Sequence, residues 1–291
     1  MTVNATRYRT ATIDGLDLFY REAGDRANPT LLLLHGFPSS SHMFRHLIDS
    51  LADSYHLIAP DHIGFGQSSM PTVHEFNYSF DALTEVTEKL IAQLGLDRFA
   101  IYIHDYGAPI GLRIASAAPE RITAIITQSG NAYLEGFTPF WDILFAHAKD
   151  RATNERGVRE YFTCSKTYWQ YTHGVPADRL DRIAPEAWQL DQAGLDRKGS
   201  DEVQLQLFWD YQFNLDSYPK FQEYFRTHQP PLLVTWGKND EIFGAAGAEA
   251  FRRDLPNGEF HLLDSGHFAL ETHGDEISNH IREFLGKVVT T

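Results

Sequence analysis

The sequence predicts an α/β fold, a mostly parallel sheet of about eight strands with helices on both faces and an inserted helical cap. Three observations predict it. Short apolar runs alternate with longer segments of helical period, as strands and crossover helices do in a parallel sheet. Three of these runs lead into a reactive side chain (Asp105, Asp240 and His267), and the carboxyl ends of strands are where an open α/β sheet gathers its chemistry. One long stretch, from about Ala132 to about His228, is dense in Phe, Trp and Tyr, is helical in period and holds no run resembling a central strand.

The elements follow in order. Leu31–Leu34 is the first buried strand and ends at His35-Gly36-Phe37-Pro38. Ser39–Ser41 can cap a helix that carries Met43, Phe44, Leu47 and Leu51 on one side. After the strand His56–Ala59, the glycine-rich run from Pro60 to Ser68 predicts a shaped loop. Asp81–Leu94 has the period of an amphipathic helix, with Gly95 placed for a left-handed carboxyl-terminal cap. The strand Phe99–His104 runs into Asp105. From Ala108, a helix with Gly111, Ala115, Ala117 and Ala118 can pack close to a sheet before the strand Ile122–Thr127. Beyond the aromatic-rich stretch the sheet resumes at Leu232–Trp236 and Glu259–Leu263, and a last helix runs through Ile277, Ile281 and Leu285. The division predicted is a core of residues 1–131 and 229–291 with a helical cap of residues 132–228.

Composition narrows the function. The 291 residues are 43% hydrophobic, enough for one large core and a smaller lobe. A net charge of −14 repels nucleic acid and anionic membrane surfaces, so neither is an expected partner. Cys164 stands alone, which excludes an intramolecular disulfide and a structural zinc site built on several thiolates. The amino-terminal MTVNATRYRTATIDG lacks the apolar core of a signal peptide, and no stretch approaches the roughly 20 apolar residues of a membrane span. The expectation is a cytoplasmic protein; oligomeric state is not legible.

The chemistry sits at strand ends. Asp105 lies between a strand and a helix with Gly107 two residues on, the setting of a sharp turn that throws one side chain clear of the sheet. An aspartate there can also simply cap the helix. No Gly-x-Ser-x-Gly occurs, and Ser129 lacks the following glycine, so a serine nucleophile has no candidate. Asp240 follows a strand within Gly237-Lys238-Asn239-Asp240, and His267 follows the last strand. The order Asp105, Asp240, His267 matches nucleophile, acid and base, each at its strand end. The backbone of His35-Gly36-Phe37-Pro38 can supply an oxyanion donor at the Phe37 N–H, paired with the Tyr106 N–H. The Phe37–Pro38 bond is a candidate for the cis form.

These motifs, with Asp61-x-x-Gly64-x-Gly66-x-Ser68, His104-Asp105-Tyr106-Gly107, Trp236-Gly237-x-x-Asp240 and Gly266-His267-Phe268, resemble the α/β-hydrolase superfamily. More narrowly they resemble its epoxide hydrolase and haloalkane dehalogenase branch, whose nucleophile is aspartate. The resemblance spans almost the whole chain outside the cap and implies the α/β-hydrolase fold. It also implies hydrolysis of a small, largely apolar substrate through an ester on Asp105, with no metal or organic cofactor.

Within the branch, dehalogenases generally carry tryptophan after the nucleophile and fluoroacetate dehalogenases carry arginine, whereas Tyr106 stands here. Epoxide hydrolases commonly show His-Gly-Phe-Pro and use two cap tyrosines. Tyr211, in Trp209-Asp210-Tyr211-Gln212-Phe213-Asn214, resembles the second; Tyr168 is the candidate for the first, with Trp169 beside it as a substrate contact. Asn131 falls where some dehalogenases keep their acid, and an amide cannot take that role. Epoxide hydrolysis is the leading expectation. A dehalogenase, a non-catalytic hydrolase-like binding protein, and an esterase or lactonase using Asp105 as a base are the alternatives.

Overall fold

Eight strands make one sheet in the computed structural model, which describes residues 5–288. In chain order they are β1 (Arg7–Ile13), β2 (Leu16–Ala23), β3 (Thr30–Leu34), β4 (His56–Pro60), β5 (Phe99–His104), β6 (Ile122–Gln128), β7 (Leu232–Gly237) and β8 (Glu259–Leu263). Across the sheet they run β1-β2-β4-β3-β5-β6-β7-β8. From β4 onward the strands are parallel, while β1 and β2 form an antiparallel edge. The six parallel strands are those the apolar runs predict, each within a residue of its predicted ends.

The antiparallel edge is where sequence reading fell short. β1 buries only Ala11 and Ile13 and carries Arg7 and Arg9 on that same face nearer its start, so it has no apolar run. Its signal lies in Asp14-Gly15, a two-residue turn with φ of 51° and 83° that joins Ile13 to Leu16. Positive φ at both central residues is the turn whose twist matches a hairpin, and Asp-Gly favours it.

Side chains that alternate along the central strands feed two separate cores, as the period of two requires. Leu32, Leu34, Ile101, Ile103 and Ile125 pack on one face with helices α2 (Phe80–Leu94) and α3 (Gly107–Ala117). Leu31, Leu33, Ala100, Tyr102 and Ile126 pack on the other with α1 (Arg45–Leu51) and the last helix, Ala269–Val288. Gly95 closes α2 with φ 68°, and Ser40 caps a short 3-10 turn ahead of α1 by accepting from the His42 N–H. Between β6 and β7 the described regular elements are helical: α4 (Asp142–Lys149), α5 (Arg151–Arg159), α6 (Cys164–Thr172), α7 (Pro185–Leu195), α8 (Ser200–Asp210) and α9 (Gln212–His228), with short 3-10 turns. Two further helices follow, α10 (Ala245–Ala250) and α11, the last helix just described. Among the described residues, no helix is long and apolar enough to cross a membrane.

The loop after β4 is held by a single buried carboxylate. Asp61 Oδ1 accepts from the Ser41 N–H at 2.7 Å and Oδ2 from the Gln67 N–H at 2.7 Å. Gly66 is required beside it, since a Cβ there would lie 2.0 Å from Asp61 Oδ2. Truncation by Asp61→Ala strands two backbone donors, at about 1–3 kcal/mol for each one left buried and unpaired. Urea unfolding of Asp61→Ala is expected to show a stability loss of about 2–4 kcal/mol; a loss under about 0.5 kcal/mol contradicts this role for Asp61.

Candidate active site

β5 delivers Asp105 into a turn so tight that its φ is 49°, a left-handed conformation that aspartate tolerates better than most residues. Two close approaches make the turn possible. A Cβ on Gly107 would meet the Leu34 carbonyl oxygen at 2.1 Å, and one on Gly36 would meet the Asp105 Cβ at 2.3 Å. With β3 and its loop this close, the Phe37 N–H donates to Asp105 Oδ1 at 2.7 Å and the Tyr106 N–H donates to the same oxygen at 2.6 Å. Oδ2 makes no hydrogen bond among the described residues. The Phe37–Pro38 bond is cis.

His35 fixes the loop that presents Phe37. Its Nε2 accepts from the His62 N–H at 3.0 Å, and its Nδ1 lies 3.1 Å from the Gly36 carbonyl, so Nδ1 carries the proton. His62 Nε2 returns a bond to the His35 carbonyl at 3.0 Å. Burial pushes the His35 imidazole down to about 4, which keeps it neutral and suited to this pattern.

Asp240 and His267 meet as their spacing predicts. His267 Nδ1 lies 2.9 Å from Asp240 Oδ2, and Ser129 Oγ donates to that same oxygen at 2.8 Å. Asp240 Oδ1 accepts from the Ile242 and Phe243 N–H groups at 2.7 and 3.1 Å. An anionic acceptor at Nδ1 dictates the Nδ1–H tautomer and leaves Nε2 as a free base. Nε2 is buried and has no partner among the described residues. Burial disfavours the imidazolium, but the charge and hydrogen bond of Asp240 and the charge of Asp105 outweigh it and hold the His267 pKa above its ordinary value. At Asp105 burial dominates and pushes the carboxyl up to about 6, against the opposing influence of His267 and of the Phe37 and Tyr106 N–H groups.

An aromatic wall closes over this pair. Tyr211 is 1% exposed, with its ring centroid 5.9 Å from Tyr106, 5.4 Å from Phe80 and 4.4 Å from Trp141. Its hydroxyl lies 3.4 Å from the Tyr218 hydroxyl, to which Asn131 Nδ2 also donates at 3.4 Å. Burial raises both phenols, and the Asp105 charge raises both further. Tyr106 is buried with its hydroxyl unpaired among the described residues.

Of the predicted site residues, Asp105, Asp240, His267, Phe37, Tyr106 and Tyr211 come together. Tyr168 does not: it is 49% exposed and meets Trp188 edge-on. The helical period explains this, because α6 buries Thr167, Gln170 and Tyr171, which turns residue 168 outward. Trp169 is half-buried, with Lys166 Nζ 3.8 Å from its ring centroid and Phe140 stacked on it at 6.0 Å.

Three residues at the site have no role assigned by the sequence, although Tyr218 is one of the tyrosines in the predicted cap and Ser129 is set aside there as a nucleophile. Tyr218 stands seven positions after Tyr211, two turns along one helix face, a spacing that could have flagged it. Gln128, whose Nε2 donates to the His267 carbonyl at 3.0 Å, and Ser129 are polar residues at the end of a buried strand. Asn131 turns inward to Tyr133 and Tyr218 and not to His267. Among the described residues, no group of three or more His, Cys, Asp or Glu side chains is arranged to hold a metal ion.

A carboxylate on a strained turn after β5 has two backbone donors at one oxygen, and a histidine held by an aspartate stands past the ends of β7 and β8. The chain belongs to the α/β-hydrolase fold family, whose model matches residues 29–274, and it is a hydrolase of that fold. It is 46% identical over 273 residues to an uncharacterized hydrolase of Saccharomyces cerevisiae, covering 92% of this chain and 93% of that one. It is 24% identical to epoxide hydrolase 3 of Xenopus tropicalis, over 93% of this chain and 75% of the relative. Haloalkane dehalogenase DatA of Agrobacterium tumefaciens C58 shares the fold with a TM-score of 0.81 at 21% identity, over 98% of this chain and 97% of that one.

The pKa directions yield a test that needs no substrate. His267 is raised chiefly because Asp240 outweighs burial, so removing that charge in Asp240→Asn leaves burial opposed by Asp105 alone. The His267 imidazole, followed by its Cε1–H proton resonance, is expected to titrate above its ordinary value in the parent and at least about one pH unit lower in the variant. An unchanged midpoint would falsify the assignment of Asp240 as its partner.

Proposed function

We propose that this hydrolase opens epoxides through a covalent ester on Asp105. The observation that carries the reading is the division of labour at the Asp105 carboxyl, where Oδ1 accepts from two backbone N–H groups and Oδ2 is without a hydrogen-bond partner among the described residues. An oxygen held that way is set to become the oxyanion of a later intermediate, and its twin is set to attack. Oδ2 attacks a saturated epoxide carbon, the carbon–oxygen bond breaks, and the alkoxide takes a proton from Tyr211 or Tyr218. His267 Nε2 then removes a proton from water, and the hydroxide attacks Cγ of the ester. The tetrahedral oxyanion forms on Oδ1 between the Phe37 and Tyr106 N–H groups, each worth about 3 to 4 kcal/mol in comparable sites. Collapse breaks the Cγ–Oδ2 bond. The new carboxyl group gives its proton to the departing oxygen, and the imidazolium proton restores the phenol. The sum is epoxide plus water to diol.

Support for an epoxide over other electrophiles comes from the two buried phenols, 3.4 Å apart, since an alkoxide leaving group must be protonated. The helices of residues 132–228 act as the cap that supplies Tyr211 and Tyr218, with Phe208 packed 4.8 Å from Phe37. Tyr168, turned outward, has no part in the reaction as drawn, and the half-buried Trp169 is kept as a substrate contact. The reaction draws on these side chains alone, with no metal or organic cofactor. The reading includes a cytoplasmic location and a small-molecule partner, in keeping with the charge of −14. A second reading, haloalkane dehalogenation, has one observation in its favour: the unpaired Tyr106 hydroxyl, buried beside the nucleophile, is a donor that could hold a halide.

In His267→Gln the first step survives and the second fails. Mass spectrometry after incubation with an epoxide panel is expected to find one adduct per chain, on the peptide holding Asp105; an unmodified peptide across the panel sinks the ester mechanism. Tyr211→Phe should lower epoxide turnover by about 10²-fold or more while sparing bromoalkanes, and halide release as the dominant activity of the parent selects the second reading. Because burial lifts Asp105 to about 6, its reactive anion is lost as pH falls through that value. The acid limb of kcat/KM is therefore expected near pH 6, and an acid limb at the ordinary carboxylate value of about 4 contradicts the buried, desolvated nucleophile.

A further inference from the structure

The carboxyl-terminal end of α6 rests on both loops that carry the acid and the base. Asn239, next to Asp240, donates from Nδ2 to the Gly174 carbonyl at 2.8 Å, and a Cβ on Gly266, next to His267, would meet the His173 carbonyl oxygen at 1.9 Å. Between these contacts the Tyr171 ring lies flat on Phe268, with centroids 4.0 Å apart and 2° between the planes. Phe268 in turn meets the His267 imidazole edge-on at 5.1 Å and 87°. Tyr171 is itself fixed, being 1% exposed, with its hydroxyl donating at 2.6 Å to Oδ2 of Asp191, a residue of α7 that is 3% exposed. The core holds His267 at Nδ1 through Asp240 and at its carbonyl through Gln128. The His104 ring lies 4.6 Å from the imidazole at 50° and Phe243 lies 6.3 Å away, and Phe268, backed by the Tyr171 ring of α6, is its remaining aromatic contact.

We infer that Tyr171 is a positioning residue for the hydrolytic half-reaction, its stack on Phe268 keeping His267 Nε2 aimed at the water that attacks the Asp105 ester. The inference rests on the ester mechanism proposed above. It concerns the second step because Asp105, already anionic, attacks without a base, whereas hydrolysis depends on where the imidazole points. Tyr171 touches neither substrate nor the reacting atoms.

The test separates the two steps by rapid quench and intact-mass measurement of the Asp105 adduct, with styrene oxide as the probe. In Tyr171→Leu, adduct formation is expected within about threefold of the parent and adduct breakdown about 10- to 100-fold slower, so that ester accumulates during turnover. Tyr171→Phe, which keeps the ring and loses the hydroxyl, restores breakdown to within about threefold. Phe268→Leu breaks the stack from its other side and is expected to give the same selective slowing, whether or not Tyr171→Leu folds. Equal slowing of both steps, no slowing of breakdown, or a Tyr171→Phe variant as slow as Tyr171→Leu overturns the inference. Adduct in His267→Gln with none accumulating in either leucine variant overturns it alone; no adduct in His267→Gln overturns the ester mechanism and this inference together.

Discussion

The site depends on how a carboxylate is kept charged where water is largely excluded. Asp105 is 4% exposed, and its rise to about 6 corresponds to roughly 3 kcal/mol of net penalty on the ionised form. Without the Phe37 and Tyr106 N–H groups and the nearby imidazole, that penalty would be larger. Much of the surrounding structure serves to bring those two donors to one oxygen. Gly36 allows β3's loop to touch the Asp105 side chain, the His35–His62 pair locks that loop, and the positive φ of Asp105 turns its neighbour's N–H back on it. The strain and desolvation persist because the strands on either side of β5 are buried on both faces and cannot relax around them.

The Asp240 carboxylate is built on the opposite plan. Asp240 is saturated at both oxygens by Ile242, Phe243, Ser129 and His267, so it has neither a reason nor the room to move. That rigidity passes to His267, whose tautomer follows from the acceptor it faces. The two sites are also coupled electrostatically, since the Asp105 charge raises His267 while His267 lowers Asp105. Esterification would neutralise Asp105 and release His267 from part of its upward shift, leaving more of it as free base when the proposed water-activating step begins.

The central sheet, the turn at Asp105 and the contact of Asp240 with His267 were legible because each is written in local sequence: an apolar run, then a glycine or an acidic residue at the strand end. β1 and β2 were less so, since a half-exposed edge carries arginines and no continuous apolar run, and the Asp14-Gly15 turn was the sole strong signal. In the helical stretch, counting tyrosines could not decide orientation. Tyr168 and Tyr171 are three residues apart on α6, yet one faces solvent and the other is buried against Phe268. Their fate is set by which side of α6 meets α7 and the His267 loop, a tertiary fact with no local signature. Ser129 and Gln128 were unreadable for a similar reason, because their partners lie more than a hundred residues away in sequence.

Placement of the phenols shows how the helices between β6 and β7 are brought into register with Asp105, the proposed nucleophile. Tyr211 stands at the junction of α8 and α9, its N–H bonded to the Leu207 carbonyl at 2.9 Å and its carbonyl accepting from the Asn214 N–H at 3.0 Å. The residue before it, Asp210, accepts from the Phe80 N–H at the start of α2 at 2.8 Å, which ties this junction to the core one residue from the phenol. Phe80 in turn packs edge-on against both Tyr106 and Tyr211. The proton donor of the proposed first step is thus referenced to the same core residues that border the proposed oxyanion donors. A donor fixed that way costs little reorganisation when the epoxide opens.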